Sequence, residues 1–237
     1  IGSAISYTVI EQQTKNALGV FNMEPARPDG SIVTARKGSA HMQVRIEGKA
    51  AHSGLAIEEG ISAIDELAHK IINIKELMNL EEGITVNVGT VQGGVANNTV
   101  APQAKGTIHT GFWRMKDFEQ LKKDVQSIVD NSYVEGTKAV LTLGAGILPM
   151  EKNKESQKMY EVVKEAADLV AIPITETATK GAADAGFSST IGVPTICGMG
   201  PVGGKWHSEE EYLVLGSFVP RMQLLAVSMV LYSRSCR

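Results

Sequence analysis

The sequence predicts an α/β chain in which one α/β domain is interrupted by an inserted ferredoxin-like domain of order β-α-β-β-α-β. Three observations predict it. Between Gly38 and Leu143 the apolar residues alternate, then take helical spacing, then return, in that order. From residue 150 onward short apolar runs alternate with amphipathic segments. The residues before Gly38 carry the same strand-and-helix style, so the α/β domain is expected from 1–36 and 150–237, and the insert from 37–149.

Taken in order, residues 4–15 read as a short helix and Leu18–Met23 as a strand that runs into Glu24-Pro25. Pro25, Pro28 and Asp29-Gly30 force a loop. His41–Glu47 alternates as a strand with Met42, Val44 and Ile46 on one face. Glu58–Leu77 has helical spacing at Ile61, Ile64, Leu67, Ile71 and Leu77. Ile84–Val91 and Gly106–Phe112 form a strand pair. Phe118–Val129 is a second amphipathic helix, and Lys138–Leu143 closes the insert as its fourth strand. Beyond it, Ser156–Leu169 reads as a helix, Pro173–Thr177 as a strand, Asp184–Ile191 as a helix and Thr195–Gly198 as a buried strand. A Gly-rich loop and a last helix complete the chain.

The 237 residues are 43% hydrophobic and carry a formal charge of −3, with no block of Lys or Arg, which excludes a nucleic-acid footprint. Two cysteines, Cys197 and Cys236, make neither a disulfide framework nor a thiolate zinc site, so a cytoplasmic protein is expected. The opening Ile1-Gly2-Ser3 has no Met and no features of a signal peptide, and an upstream segment is expected. Tyr212–Tyr232 is long and apolar, but Pro220, Arg221 and Gln223 interrupt it. A buried helix after Glu209-Glu210-Glu211 is expected, with no membrane partner.

Of five histidines, His41, His69 and His109 lie within strands or on a helix and read as structural or solvated. His207 ends the Gly-rich stretch from Gly198 and precedes three glutamates, a setting that suits a metal ligand. The same stretch is no phosphate cradle, because Met199 and Trp206 stand where Gly and Ser or Thr are needed. Glu24 follows a strand end, where α/β sheets place their ligands, although a solvated turn glutamate fits that single feature as well. His52 sits among small residues after a strand, and Asn98 in a tight loop between strands. Turn chemistry alone explains either.

In chain order, Met23-Glu24-Pro25-Ala26-Arg27, Gly48-Lys49-Ala50-Ala51-His52-Ser53-Gly54, Asn98-Thr99-Val100-Ala101-Pro102, Gly181-Ala182-Ala183-Asp184 and the run from Gly203 to Tyr212 around His207 form a set. That set resembles the carboxypeptidase G / acetylornithine deacetylase / aminoacylase family of di-zinc hydrolases, over essentially the whole chain. The resemblance implies a zinc-peptidase-like catalytic domain interrupted by a lid that also forms a homodimer contact. It implies a peptide or N-acyl amino acid substrate and two Zn ions in the complete protein. Glu24 then looks like a ligand of one zinc and His207 of the other. His52 looks like the lid histidine that reaches the neighbouring subunit's site and stabilises the tetrahedral oxyanion, and Asn98 like a lid contact to substrate. In such a site two metals about 3.5–4 Å apart activate a bridging water, and a glutamate general base takes its proton.

The family's glutamate pair would stand immediately before Ile1, and its upstream His and Asp ligands have no counterpart here. The resemblance therefore implies that this chain carries only part of the metal site, binds no zinc tightly and turns over nothing by itself. It departs from the family pattern at His109-Thr110-Gly111, where many relatives have Asp-x-Arg, and at Ile147 and near Ala178, where an arginine is common. Arg114 and Lys180 are the replacement cations for a substrate carboxylate. The alternative is a catalytically inactive family member serving as a binding or dimeric scaffold.

Overall fold

A computed structural model describes residues 7–236. The expected helix over 4–15 is seen from Tyr7. Its first three residues, and the opening Ile1-Gly2-Ser3, lie outside the described residues. In chain order the elements are α1 (Tyr7–Thr14), β1 (Val20–Phe21), β2 (Ile32–Arg36), β3 (Gly38–Glu47), α2 (Ala63–Lys75) and β4 (Thr85–Gly93). There follow β5 (Gln103–Phe112), α3 (Met115–Asp130), β6 (Lys138–Ile147), α4 (Lys154–Leu169) and β7 (Glu176–Thr179). The chain continues with α5 (Ala185–Thr190), β8 (Thr195–Ile196), β9 (Gly203–Gly204), β10 (Tyr212–Leu213) and α6 (Phe218–Ser235). The chain divides into two compact units, residues 1–38 with 147–237, and residues 39–146.

The inserted unit runs β-α-β-β-α-β, with strands ordered β4-β5-β3-β6 in one sheet. β4 and β5 pair antiparallel from Thr85↔Gly111 to Gly93↔Ala104, with one register shift between Val88 and Thr90. Alternation places Met42, Val44, Ile46, Val86, Ala104 and Ile108 on one face, against Ala63, Leu67 and Ile74 of α2 and Leu121, Val125 and Val129 of α3. Each large apolar side chain so buried contributes roughly 1.5–3 kcal/mol. One ion pair lies inside this core. Glu66 and Lys70, one helical turn apart on α2 and both fully buried, meet at 2.6 Å. Lys70 Nζ also donates to the carbonyls of Ile128, Val129 and Asn131, and Glu66 accepts the amides of Tyr133 and Val134. The pair thus fastens α2 to the C-terminal end of α3.

The helix expected from Glu58 begins instead at Ala63. Gly60 ends a single 3₁₀ turn, Ile61 pairs with Lys49 through two 2.9 Å backbone bonds, and Ser62 accepts the Asp65 amide as N-cap. Ile61 had fitted the helical spacing but serves a β-bridge.

In the other unit β1 pairs parallel with β8, and β2 pairs parallel with β7. An antiparallel bridge between Val33 and Cys197, with both backbone bonds at 2.9 Å, joins β8 to β2. The mixed order is therefore β1-β8-β2-β7. Met159, Tyr160, Val163, Ala166 and Ala167 of α4 pack with Leu224 and Tyr232 of α6 over Ile32, Ile196 and Met199. Asn153 and Ser156 start α4 with reciprocal capping bonds. The buried strand β2 has no alternation to betray it, and β7 lies some three residues beyond its expected start. The last helix begins at Phe218, after the short β10, and buries only Arg221, Leu224, Ser228 and Tyr232, a single stripe. The expected buried helix is therefore buried on one side only. Leu215–Ser235 is long and apolar enough, by length and composition, to cross a bilayer.

Candidate functional site

Because β1 and β8 are parallel neighbours, the segments that leave their C-terminal ends emerge together. One carries Glu24 and the other leads through Gly198–Gly204 to His207. The Gly200 amide donates to the Glu24 carbonyl at 3.0 Å, and Ala26 pairs parallel with Val202. A Cβ on Gly200 would lie 2.5 Å from the Met23 oxygen and 2.9 Å from the Glu24 oxygen, so only glycine allows this approach. Gly198 (φ 72°) is in the left-handed region that glycine tolerates. A second link lies further along: the Arg27 guanidinium sits 4.7 Å from the centre of the Trp206 ring. The Arg27 Nε and Trp206 Nε1 donors are buried there without acceptors among the described residues.

The loop around His207 is strained and braced. Lys205 (φ 56°) and His207 (φ 66°) are both left-handed without being glycine, a conformation that costs about 1 kcal/mol or more and concentrates at functional sites. Lys205 pairs with Glu210 at 2.7 Å, Ser208 Oγ donates to the Lys205 carbonyl, and Glu211 accepts the His207 amide. The side chains of Glu24 and His207 are exposed.

Glu24 is also held from below. Asn22 Oδ1 accepts the Glu24 amide at 3.1 Å and the Cys197 thiol at 3.1 Å, and Cys197 Sγ accepts from Arg36 Nε at 3.1 Å. Arg36 then reaches the Gly181 carbonyl at 2.8 Å. Burial pushes the Cys197 thiol up, so it stays neutral and donates. One hydrogen-bond chain, buried at its Arg36–Cys197 link, thereby ties the Glu24 backbone to Gly181. Arg221 does similar work, donating to the carbonyls of Gly200, Gly30 and Gly198. Burial lowers its pKa to about 10, which still leaves it charged at neutral pH.

The inserted unit brings the other two candidates together. Ser53 N donates to the Asn98 carbonyl and Val100 N to the Ala51 carbonyl, each at 2.9 Å, and His52 bridges Thr99. The Gly54 amide donates to His52 Nδ1 at 3.2 Å. A neutral ring that accepts at Nδ1 carries its proton on Nε2, so exposed His52 presents a donor outward. The carboxamide-bearing Asn98 is exposed beside it.

Arg114 is already engaged, by Glu82 and Asp117 at 2.7 Å each, and these carboxylates raise its pKa. Lys180 is exposed, and its charge lowers the pKa of Lys37 after the larger effect of burial. The sequence did not single out Arg36, Cys197, Asn22 or Trp206. An arginine closing the mostly apolar run of β2 was the one available signal.

Among the described residues no three His, Cys, Asp or Glu side chains form a group able to hold a metal ion. A catalytic zinc needs three protein ligands and an open position. Glu24 and His207 are two donors, and by themselves they do not make such a catalytic site.

Residues 34–137 match the model of the M20 peptidase dimerisation domain. Carboxypeptidase G2 of Pseudomonas sp. strain RS-16 is 25% identical over 235 residues, covering 97% of this chain and 56% of that protein. Residues 34–137 are thus an M20 peptidase dimerisation domain, and the chain as a whole is similar to carboxypeptidase G2. Among solved structures, the aminopeptidase PepT of Bacillus cereus ATCC 10987 superposes with a TM-score of 0.80 at 20% identity, covering 98% of this chain and 61% of that one. A tripeptidase of Staphylococcus aureus subsp. aureus Mu50 gives 0.71 at 22% identity, covering 97% and 60%. These likenesses show that the chain shares the fold of those two structures over nearly all of its length. The chain spans between half and two thirds of the length of these relatives.

Proposed function

We propose that the complete protein is a zinc-dependent hydrolase of peptide or N-acyl amino acid amide bonds, of the metallo-carboxypeptidase or deacylase type, and acts as a homodimer through the inserted unit. The observation that carries this reading is the joining of the Glu24 segment to the His207 loop at the ends of two parallel strands. Glu24 and His207 would each serve one zinc ion, and the remaining donors would come from outside this chain. The two ions would polarise the scissile carbonyl when bound.

The chain's own residues do the rest. His52, with its proton on Nε2, would reach the neighbouring subunit's site and donate to the oxygen that gains charge as the amide is attacked. Asn98 orients the substrate beside it. Lys180 is the exposed cation available to a substrate carboxylate, whereas Arg114 would have to leave two carboxylates first.

Zinc content and hydrolysis of dipeptides and N-acyl amino acids, measured on this chain and on a protein of its relatives' full length, test the reading. The chain alone should hold no zinc at Glu24 and His207 and show no turnover. The full-length protein should show both, and lose roughly 10²–10³-fold in kcat on His52→Ala. Stoichiometric zinc with turnover from the 237 residues alone would sink the partial site. A zinc-free, inactive dimer at full length would favour the second reading, a binding scaffold, which the engagement of Arg114 supports.

A further inference from the structure

The helices α2 and α3 cover one face of the inserted sheet, and the alternate residues form the opposite face. On that open face His41 of β3 and His109 of β5, neighbouring strands, are both exposed, with ring centres 5.1 Å apart and planes at 60°. We infer that this cross-strand histidine pair is a divalent transition-metal site, suited to Zn²⁺, that holds the ion through two imidazole nitrogens with water completing the shell.

The spacing suits zinc when each ring turns one nitrogen toward a shared ion. A zinc–nitrogen bond of about 2.0–2.1 Å puts the ion about 3.2 Å from each ring centre, so centres at this spacing subtend roughly 106° at a shared ion, near the tetrahedral angle. A square or octahedral cis arrangement would draw the centres closer, to about 4.5 Å by the same construction. Both rings stand on paired strands, and little backbone freedom is lost when the ion arrives. Gly144 of β6 faces His41: a Cβ there would lie 3.3 Å from the His41 Cβ, so the missing side chain leaves room beside the ring. On the other side Asn87 of β4 is the register partner of His109. Partial desolvation and then the nearby His41 hold the His109 imidazole toward its neutral, ligating form. The site lies wholly within the inserted unit and needs neither Glu24 nor His207, so it stands or falls independently of the proposed hydrolase activity.

The test is a Zn²⁺ titration of the whole chain followed by the ring-proton resonances of the histidines. His41 and His109 should shift together along one saturable curve, while His69, which stacks on Tyr133, should not join it. His41→Gln should weaken the response at His109 by about 10²-fold, and His109→Gln the response at His41 likewise, since each removes one arm of a chelate. Far-UV circular dichroism checks that both variants remain folded. Replacing Zn²⁺ with Co²⁺ should give the intense visible absorption of a four-coordinate ion, lost in either variant. Independent titration of the two rings, no shift at millimolar zinc, or a His109 response unchanged by His41→Gln would each overturn the site.

Discussion

Both units bury cations, and they use them differently. The inserted unit buries Lys70 against Glu66, so charge meets charge, and the pair ties two helices into a closed core. The other unit buries Arg36 and Arg221 against neutral acceptors. Their partners are the carbonyls of Gly181, Gly200, Gly30 and Gly198, and the Cys197 sulfur. Those carbonyls belong to the loops that present the candidate site residues. A buried charge can therefore serve stability in one place and the positioning of irregular backbone in another, and the partner tells which.

The largest expected effect breaks the inserted unit. Lys70→Met leaves a buried carboxylate without its cation and should cost about 3–5 kcal/mol. Each unit holds one of the chain's two tryptophans, Trp113 in the insert and Trp206 in the other, so denaturant unfolding followed by fluorescence of single-tryptophan variants assigns the loss. Adding Glu66→Leu should not restore stability, because the Tyr133 and Val134 amides then lose their acceptor.

Next comes Arg221→Met, which strips three carbonyls of their donor and should cost about 2–4 kcal/mol. Faster hydrogen exchange at Gly200 and Ala26 should accompany it. Unchanged exchange there would mean that Arg221 serves packing alone.

The contrast also has a pH signature. Burial pushes the Glu66 carboxyl upward, but the Lys70 ammonium and two backbone amides outweigh it and hold the folded pKa below the usual range. A depressed folded pKa means the stabilisation is complete above the unfolded carboxylate pKa and fades as pH falls through the folded value. The insert should thus weaken progressively below about pH 4.5, where unfolded glutamate begins to protonate, and Glu66→Gln should flatten that slope in thermal melts of the insert.

The smallest effect compares matched helix starts. Ser62→Ala in α2 and Asn153→Ala in α4 each remove one cap bond and should each cost about 1 kcal/mol. A much smaller loss at Asn153 would show that the unit of α4 is the less cooperative of the two.

The sequence revealed the insert far better than the rest because its strands are nine or ten residues long and its helices 13 and 16. Periodicity needs that length to register. β1 and β8 are two residues each, and β2 is buried on both sides, so none alternates. Local order also decided which candidate site residues were legible. Glu24, His52, Asn98 and His207 stand in distinctive neighbourhoods that a reader of the chain meets at once. The Arg36–Cys197 contact spans 161 positions, and the Arg27–Trp206 stack joins opposite ends of the chain. Such pairings come from strand order, which no single stretch of sequence contains.

The hydrogen atom that serves as Gly200's side chain sets a dimension. It lets two main chains touch where a methyl group would wedge them apart, and so works as a spacer gauge between the carboxylate-bearing segment and the imidazole-bearing loop. Rates can fall 10²-fold for a displacement of about 1 Å. On that scale Gly200→Ala is a change in tolerance rather than in chemistry, altering neither candidate ligand yet shifting the distance between them.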